Sequence, residues 1–151
     1  MSAHSYNKIW LHLIWGTHKH EKVIPASTRP QIANKLLDIA KEKEIIIRAL
    51  HVHSNHVHTL IELPTNLSVE QVSKHLKGVL SHWINSEKIL KQHFQWGKGY
   101  AVFSVSESVV DKVVHYIQNQ DEHHRMKTFR EEVQAFLAAY NIEHAEDSFL
   151  E

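Results

Sequence analysis

Two short motifs contain the side chains of this sequence whose types and spacing suit chemistry. The first is His56-Val57-His58, and the second runs from Tyr116 to Gln120. Residues two apart share one face of a strand, and residues four apart share one face of a helix. Two imidazoles and an amide oxygen can hold a divalent cation, and a phenol beside that cation can attack a phosphodiester. Together the two motifs indicate chemistry on DNA strands.

Each motif also has an ordinary interpretation. The sequence contains 15 histidines, so a pair at this spacing arises by chance, and His51 and His53 form another. Tyr116 alone fits an amphipathic surface helix. The position of the pair, just after the turn predicted at Ser54-Asn55, favours a site, because active-site residues often lie there. The mixed nitrogen and oxygen ligands predict an exchangeable Mg²⁺ or Mn²⁺ rather than a structural Zn²⁺, which takes four protein ligands.

The elements that must position these residues follow from hydrophobic periodicity and helix-start signals. Apolar and β-branched runs predict four strands, at residues 7–17, 45–52, 56–63 and 100–105. Amphipathic stripes and Ser or Thr caps predict helices from residue 28 to about 40, 68 to about 90, about 108 to 123, and 128 to 140. The order β-α-β-β-α-β predicts an α+β, ferredoxin-like split sandwich, followed by the helix that carries the tyrosine. We expect a single domain over residues 1–151.

Such a domain packs both crossover helices on one face of an antiparallel sheet and leaves the other face open. Alternation along the third strand predicts that Val57, Thr59, Ile61 and Leu63 lie beneath the helices. His56 and His58 then point to the open face, where a ligand could reach both imidazoles.

Composition limits the class of protein. The sequence has no cysteine, which excludes a disulfide framework or a thiolate metal site and predicts a cytoplasmic protein. It has neither a signal peptide nor an apolar run near the roughly 20 residues that span a bilayer, so we expect no membrane partner. Formal net charge is zero, but residues 1–104 hold 13 Lys and Arg against 7 Asp and Glu. A basic body with an acidic tail permits phosphate binding.

With both motifs in view, the chain resembles the single-tyrosine HUH transposases of small bacterial insertion sequences, within the superfamily of replication and relaxase nucleases. Residues 55–61, Asn-His-Val-His-Thr-Leu-Ile, are similar to the histidine motif of that family, which often has Asp where this chain has Asn55. Residues 116–124 are similar to its tyrosine helix, and residues 96–105 to the segment before it. The resemblance covers about residues 8–140.

The resemblance implies a metal-dependent, homodimeric enzyme of a bacterial or archaeal cell. Such an enzyme cleaves and rejoins single-stranded DNA at insertion-sequence ends, usually guided by hairpins. Tyr116 would form a 5′-phosphotyrosine bond, and His56, His58 and Gln120 would hold Mg²⁺ or Mn²⁺. The tyrosine helix can lie over the partner's histidine pair, which would make composite active sites.

DNA contacts are predicted on the second helix, where Lys74, Lys77 and Ser81 share a face by i, i+3, i+7 spacing and could hold phosphates. A solvated helix face explains the same spacing. Three other functions remain open at this point. They are a domesticated nuclease that processes repeats by the same chemistry, a non-catalytic RNA-binding module of similar topology, and a histidine-rich metal-binding protein.

Overall fold

A computed structural model describes residues 5–120 and 127–143 of the chain. It contains four strands: β1 (Trp10–Gly16), β2 (Ile46–Val52), β3 (His56–Glu62) and β4 (Ala101–Val105). Its α-helices are α1 (Arg29–Glu42), α2 (Val69–Ser86), α3 (Val110–Gln118) and α4 (Phe129–Ala139). Short 3-10 turns occupy His18–His20, Ala26–Thr28 and Glu107–Val109. Among the described residues, no helix is both long enough and apolar enough to cross a membrane.

The strands form one antiparallel sheet in the order β2-β3-β1-β4. The unit β1-α1-β2 is split by β3, and the unit β3-α2-β4 is split by β1. Strands β1 and β3 are therefore the central, antiparallel pair, with Gly16 opposite His56 and Ile14 opposite His58. This order confirms the predicted ferredoxin-like α+β fold. Every residue of β1 is buried, because the strand is central and helices cover both faces of the sheet.

One face of the sheet packs beneath α1 and α2 and is apolar. Strand residues Trp15, Val57 and Ile61 contact a cluster that includes Leu36 of α1 and Leu76 of α2. Thr59 lies on the same face, and its hydroxyl donates to the carbonyl of Leu13 at 3.0 Å. The predicted inward set of β3 is therefore confirmed.

The opposite face is not open, and this part of the prediction is wrong. Helix α3 packs on Leu60 and Trp10 through Val110, Val114 and Ile117. Helix α4 covers the rest of the face, where Phe129 and Val133 contact the strand residues Ile14, Ala101 and Phe103. His56 and His58 do point to this face, but both are completely buried rather than exposed to a ligand. The alternation of β3 shows which way the imidazoles point, and it carries no information about helices that arrive later in the chain.

The helix starts agree with the capping signals in two cases of three. Ser68 with Gln71, and Thr128 with Glu131, form reciprocal capping boxes. Thr28 does not cap α1, because its hydroxyl donates to the carbonyl of Pro25 within a preceding 3-10 turn. The two capping boxes set where α2 and α4 begin, and α4 is the helix that closes the second face.

Candidate metal and tyrosine site

The histidine pair lies at the start of β3, directly after the turn that contains Asn55. The Nε2 atom of His58 is 3.0 Å from Oε1 of Glu132, and Nε2 of His56 is 3.8 Å from the same oxygen. All three side chains are buried. One carboxylate oxygen therefore faces both imidazoles in a pocket from which water is largely excluded.

Glu132 lies on the first turns of α4 and was not among the predicted site residues. Its neighbours on the buried side of that helix, Phe129 and Val133, are apolar and contact the sheet. An acidic residue inside an apolar stripe is the signal that would have found it, since a buried carboxylate requires a partner. The partner is supplied by β3, more than seventy residues earlier, and no local pattern shows that pairing.

The same carboxylate also holds Tyr116. The Tyr116 hydroxyl donates to Oε2 of Glu132, and its ring centroid lies 6.0 Å from that of His58. Burial raises the pKa of Tyr116 well above its ordinary value, and the charge of Glu132 and its hydrogen bond to the phenol raise this pKa further. The phenol is therefore protonated at neutral pH and has a proton acceptor in contact with it.

Gln120 is buried beside Tyr116, one turn further along the chain. Its amide nitrogen donates to the backbone carbonyl of Tyr116 at 3.1 Å. A hydrogen bond from the Gln120 side chain lowers the pKa of the Tyr116 phenol, against the larger effects of burial and of Glu132. The predicted i, i+4 partnership of these two residues is present.

Each imidazole of the pair has a second polar contact at its Nδ1 atom. The Nδ1 of His56 is 2.7 Å from Oδ1 of Asn55, and the Nδ1 of His58 is 2.8 Å from Nε2 of His12. Burial and the adjacent His58 lower the pKa of His12 to about 3, with Glu132 opposing them, so this ring is neutral. The His56 ring also stacks on Phe129, with centroids 4.1 Å apart and planes within 10°. Both rings are thus fixed in orientation.

This arrangement fits a divalent cation. One ligand atom each from His56, His58 and Glu132 lies within 4.8 Å of the others, so a cation could contact all three. Two imidazoles with one carboxylate bind first-row divalent ions and leave coordination positions for other oxygen ligands. The predicted metal-binding pair is thus part of a cluster that could hold a cation, with a carboxylate that the sequence interpretation lacked.

The geometry agrees with a match to a known family. The family model described as "Transposase IS200 like" matches residues 5–120, which include the histidine pair, Tyr116 and Gln120. The chain belongs to this family. Glu132 lies outside the matched segment.

Two transposases are similar in sequence to this chain along most of their own length. The ISDra2 transposase TnpA of Deinococcus radiodurans is 24% identical over 117 residues, which cover 74% of this chain and 83% of that protein. The transposase for insertion sequence element IS200 of Salmonella typhimurium is 24% identical over 130 residues, covering 82% and 84%.

Solved structures of transposases share the fold. One from Deinococcus radiodurans R1 superposes with a TM-score of 0.64 at 27% identity, covering 80% of this chain and 96% of that one. A REP-associated tyrosine transposase bound to a REP hairpin superposes with a TM-score of 0.60 at 14% identity, covering 82% and 74%. The second likeness shows the fold alone.

The predicted DNA-contact residues of this transposase lie on α2, across the sheet from the histidine pair. Lys74 is exposed, and the Ser81 hydroxyl donates within the helix to the carbonyl of Gly78 at 3.2 Å. The ammonium of Lys77 donates to the carbonyls of Gly97 at 3.0 Å and Gly99 at 2.9 Å. Burial lowers the pKa of Lys77. Lys77 thus anchors a loop of its own chain. His123 and His124, at the end of the segment 116–124 that resembles the family's tyrosine helix, lie outside the described residues.

Proposed function

We propose that this transposase cleaves and rejoins single-stranded DNA through a covalent bond between Tyr116 and a DNA 5′-phosphate. The observation that carries the proposal is that one carboxylate, Glu132, contacts both His58 and the Tyr116 hydroxyl. The nucleophile and the cation ligands are thereby held around one pair of oxygens. Family membership supports DNA-strand chemistry, because transposases must break and join phosphodiester bonds.

In the cleavage step, the Tyr116 oxygen attacks the phosphorus and forms a phosphotyrosine bond. The bond from phosphorus to the 3′ oxygen breaks, and that oxygen takes a proton from water to leave a free 3′-OH. The phenol proton passes to Oε2 of Glu132, which already accepts its hydrogen bond. A base in contact is needed because burial and Glu132 keep the Tyr116 pKa high. Attack of a 3′-OH on the phosphotyrosine reverses the step and rejoins the strand.

The cation ligands in this proposal are His56, His58 and Glu132, with the amide oxygen of Gln120 as a fourth donor. A bound Mg²⁺ or Mn²⁺ would neutralise charge on the scissile phosphate. Titration of Mn²⁺ into Glu132→Gln and Gln120→Ala variants separates the two oxygen donors. We expect the larger loss of affinity in Glu132→Gln, because a carboxylate binds a hard cation more strongly than an amide does. A larger loss in Gln120→Ala would exchange their roles.

The substrate in this proposal is single-stranded DNA that carries hairpins at insertion-sequence ends. A structural relative is bound to a hairpin, which supports this substrate class. Both imidazoles are buried beneath α4, so a DNA phosphate reaches them only when this helix shifts from the sheet. A nuclease that processes genomic repeats would use the same step, and only its DNA target would differ. A non-catalytic RNA-binding module is disfavoured, because base stacking would need Phe, Tyr or Trp on β3, which has His56 and His58 in their place.

The decisive experiment is detection of a covalent protein–DNA adduct. Single strands copied from the DNA that flanks the gene, labelled and incubated with Mn²⁺ or Mg²⁺, should become attached to the wild-type protein on a denaturing gel. Tyr116→Phe should remain folded and form no adduct. Tyr6→Phe is the matched control, because this tyrosine is 98% exposed and should leave the adduct unchanged. Adduct formation by Tyr116→Phe would show that another residue is the nucleophile.

We also propose a homodimer in which α3 is exchanged between subunits, so that each site is shared. Within one chain Tyr116 already lies against its own His58, and element exchange re-forms identical contacts across the pair. On α4, Phe136, Leu137 and Tyr140 have the i, i+1, i+4 spacing of an apolar stripe that could help to hold the exchanged element. Within one chain the Phe136 ring packs edge-on against Tyr116 of α3 with centroids 5.8 Å apart, Leu137 packs on the sheet, and the Tyr140 hydroxyl donates to the carbonyl of Ser104.

Mixed dimers of His56→Ala and Tyr116→Phe chains test the exchange. Shared sites would combine the intact histidines of one chain with the intact tyrosine of the other, and about half of the wild-type cleavage should return. Background activity in a dimer confirmed by differential tags would place each site within one chain.

A further inference from the structure

A third histidine, His12, contacts the histidine pair from the neighbouring strand. It lies in the middle of β1, is 2% exposed, and points to the face covered by α3 and α4. Its Nε2 atom is 2.8 Å from Nδ1 of His58, which is the nitrogen turned away from Glu132. Its neighbours on this face along β1, Trp10 and Ile14, and its register partner Leu60 on β3 are apolar. Burial of an imidazole on such a face lowers the stability of the fold unless a hydrogen bond to the ring offsets the cost.

We infer that His12 is a positioning residue that holds His58 in the orientation and tautomer required to bind the cation. The inference rests on the cation site proposed above. When Nε2 of His58 binds a cation, the ring proton must reside on Nδ1, and the atom placed to accept it is Nε2 of His12. Partners of this kind fix the orientation of a ligand histidine and strengthen it as a ligand.

An imidazole suits the position of His12 better than a group that can only accept a hydrogen bond. Without a cation, Nε2 of His58 faces the Glu132 carboxylate at 3.0 Å. Because an ionised carboxylate can only accept, the tautomer of His58 that fits this contact carries its proton on Nε2. In the neutral ring, Nδ1 of His58 then accepts, and His12 donates. With a cation bound, the same hydrogen bond runs in the opposite direction. Because His12 can donate or accept through one atom, the His58 ring keeps its place in both states.

The ring of His12 is itself held in place. It packs edge-on against Phe136 of α4, with centroids 5.2 Å apart and an interplanar angle of 84°. The ring of Tyr116 approaches it at 6.2 Å in a similar edge-on arrangement. His12 therefore sits where β1, α3 and α4 meet, and its position is set by the same helices that bring Tyr116 and Glu132 to the site.

The first test is calorimetric titration of Mn²⁺ into the full-length protein and three variants. His12→Phe keeps a ring of similar size without a hydrogen-bonding atom, and its affinity for Mn²⁺ should fall about 10- to 100-fold. His12→Gln places an amide near the former Nε2 position and should restore most of that affinity. His75→Phe makes the same chemical change on α2, across the sheet, and should leave Mn²⁺ affinity unchanged. A folded His12→Phe variant with wild-type affinity would overturn the inference.

A second measurement decides the inference even if His12→Phe fails to fold. Nitrogen-15 NMR of the wild-type imidazoles, with Mg²⁺ added, reports which nitrogen of His58 carries the proton. We expect a protonated, hydrogen-bonded Nδ1 and a cation on Nε2, and the reverse assignment would overturn the inference. A failure of the proposed function would give a different result. If wild-type protein binds neither Mn²⁺ nor Mg²⁺, the proposed cation site itself is wrong. Wild-type binding together with an unaffected His12→Phe variant removes only the role of His12.

Discussion

The sheet face beneath α1 and α2 buries Trp15, Val57 and Ile61 among other apolar groups, whereas the face beneath α3 and α4 buries His56 and His58 against a carboxylate. Both faces exclude water, yet the side chains that do so differ in kind. Burial of a large apolar side chain stabilises a fold by about 1.5–3 kcal/mol. Burial of an ionisable group costs free energy unless a partner offsets it.

We therefore expect the α1–α2 face to contribute mainly to stability and the α3–α4 face to hold the groups that do chemistry. The α1–α2 face needs only shape and volume, so substitutions there should change the free energy of unfolding and leave the site intact. The α3–α4 face places five polar groups where apolar residues would pack more favourably, namely His12, His56, His58, Gln120 and Glu132. Such local conflict between burial and polarity is typical of functional sites.

The largest effect is expected from a cavity in the apolar face. Leu76 is completely buried in α2, and Leu76→Ala should lower the free energy of unfolding by about 3 kcal/mol. The affinity of the folded protein for Mn²⁺ should not change, because Leu76 packs on the face of the sheet opposite to that of His56, His58 and Glu132. Urea unfolding and calorimetry measure the two quantities. Leu37→Ala, at a side chain that is 43% exposed on α1, is the control and should have little effect on either. Weaker Mn²⁺ binding in Leu76→Ala would mean that the two faces are coupled.

The reverse pattern is expected from the histidine pair. His56→Ala or His58→Ala should lower Mn²⁺ affinity by more than about 100-fold, since even partners of metal ligands cost about 10- to 100-fold. His51→Ala is the control, because His51 lies opposite His58 on β2 and shares the sheet but is not in the ligand cluster. Calorimetry with Mn²⁺ compares the three variants. Equal losses in His51→Ala and His56→Ala would show that a different pair holds the cation.

A smaller effect is expected at Gly16, at the end of β1, where the backbone lies close to Phe129 of α4. A Cβ atom added to Gly16 would lie 3.0 Å from Cε2 of Phe129 and 3.1 Å from Cδ2 of His20, so the ring stacked on His56 would have to move. Gly16→Ala should therefore lower the free energy of unfolding by about 2 kcal/mol and weaken Mn²⁺ binding as well. Both are measurable by urea unfolding and calorimetry.

Gly78→Ala is the matched control for this substitution. Gly78 lies within α2 with no atom near its added Cβ, so the change should stabilise the protein by about 0.5–1 kcal/mol. Destabilisation by both substitutions would indicate a general intolerance of glycine replacement rather than a crowded site.

The order of elements and the face of each strand residue could be predicted, because periodicity and capping are local signals. The sheet order and the capping boxes at Ser68 and Thr128 agree with those signals. Burial of His56 and His58 could not be predicted, since it depends on α4, which returns to the sheet from a distant part of the chain. Glu132 was missed for the same reason. Its contact with His58 joins residues 74 positions apart, and no spacing rule connects them.

The interpretation of Lys77 shows a different limit. The i, i+3 spacing places Lys74 and Lys77 on one helix face, but the two side chains differ in exposure. Lys74 is exposed, whereas Lys77 is partly buried and donates to carbonyls of the loop at 97–99. Spacing on a helix reports direction and does not report what lies above the residue. Both lysines remain predicted phosphate contacts, but Lys74 is exposed and Lys77 already holds a loop of its own chain.

The smallest predicted effect tests that distinction. Lys77→Met keeps the apolar stem and removes the ammonium that donates to Gly97 and Gly99, so it should lower the free energy of unfolding by about 1 kcal/mol. Lys74→Met removes an exposed charge with no such contacts and should leave stability unchanged. If Lys74 contacts a DNA phosphate, its loss should reduce the salt dependence of single-strand binding by about 0.7 in the log–log slope, whereas Lys77→Met should leave that slope unchanged. Fluorescence anisotropy with a labelled single strand at several salt concentrations measures the slope, and urea unfolding measures stability. A reduced slope with unchanged stability in Lys77→Met would return Lys77 to the DNA interface and make the loop contacts dispensable.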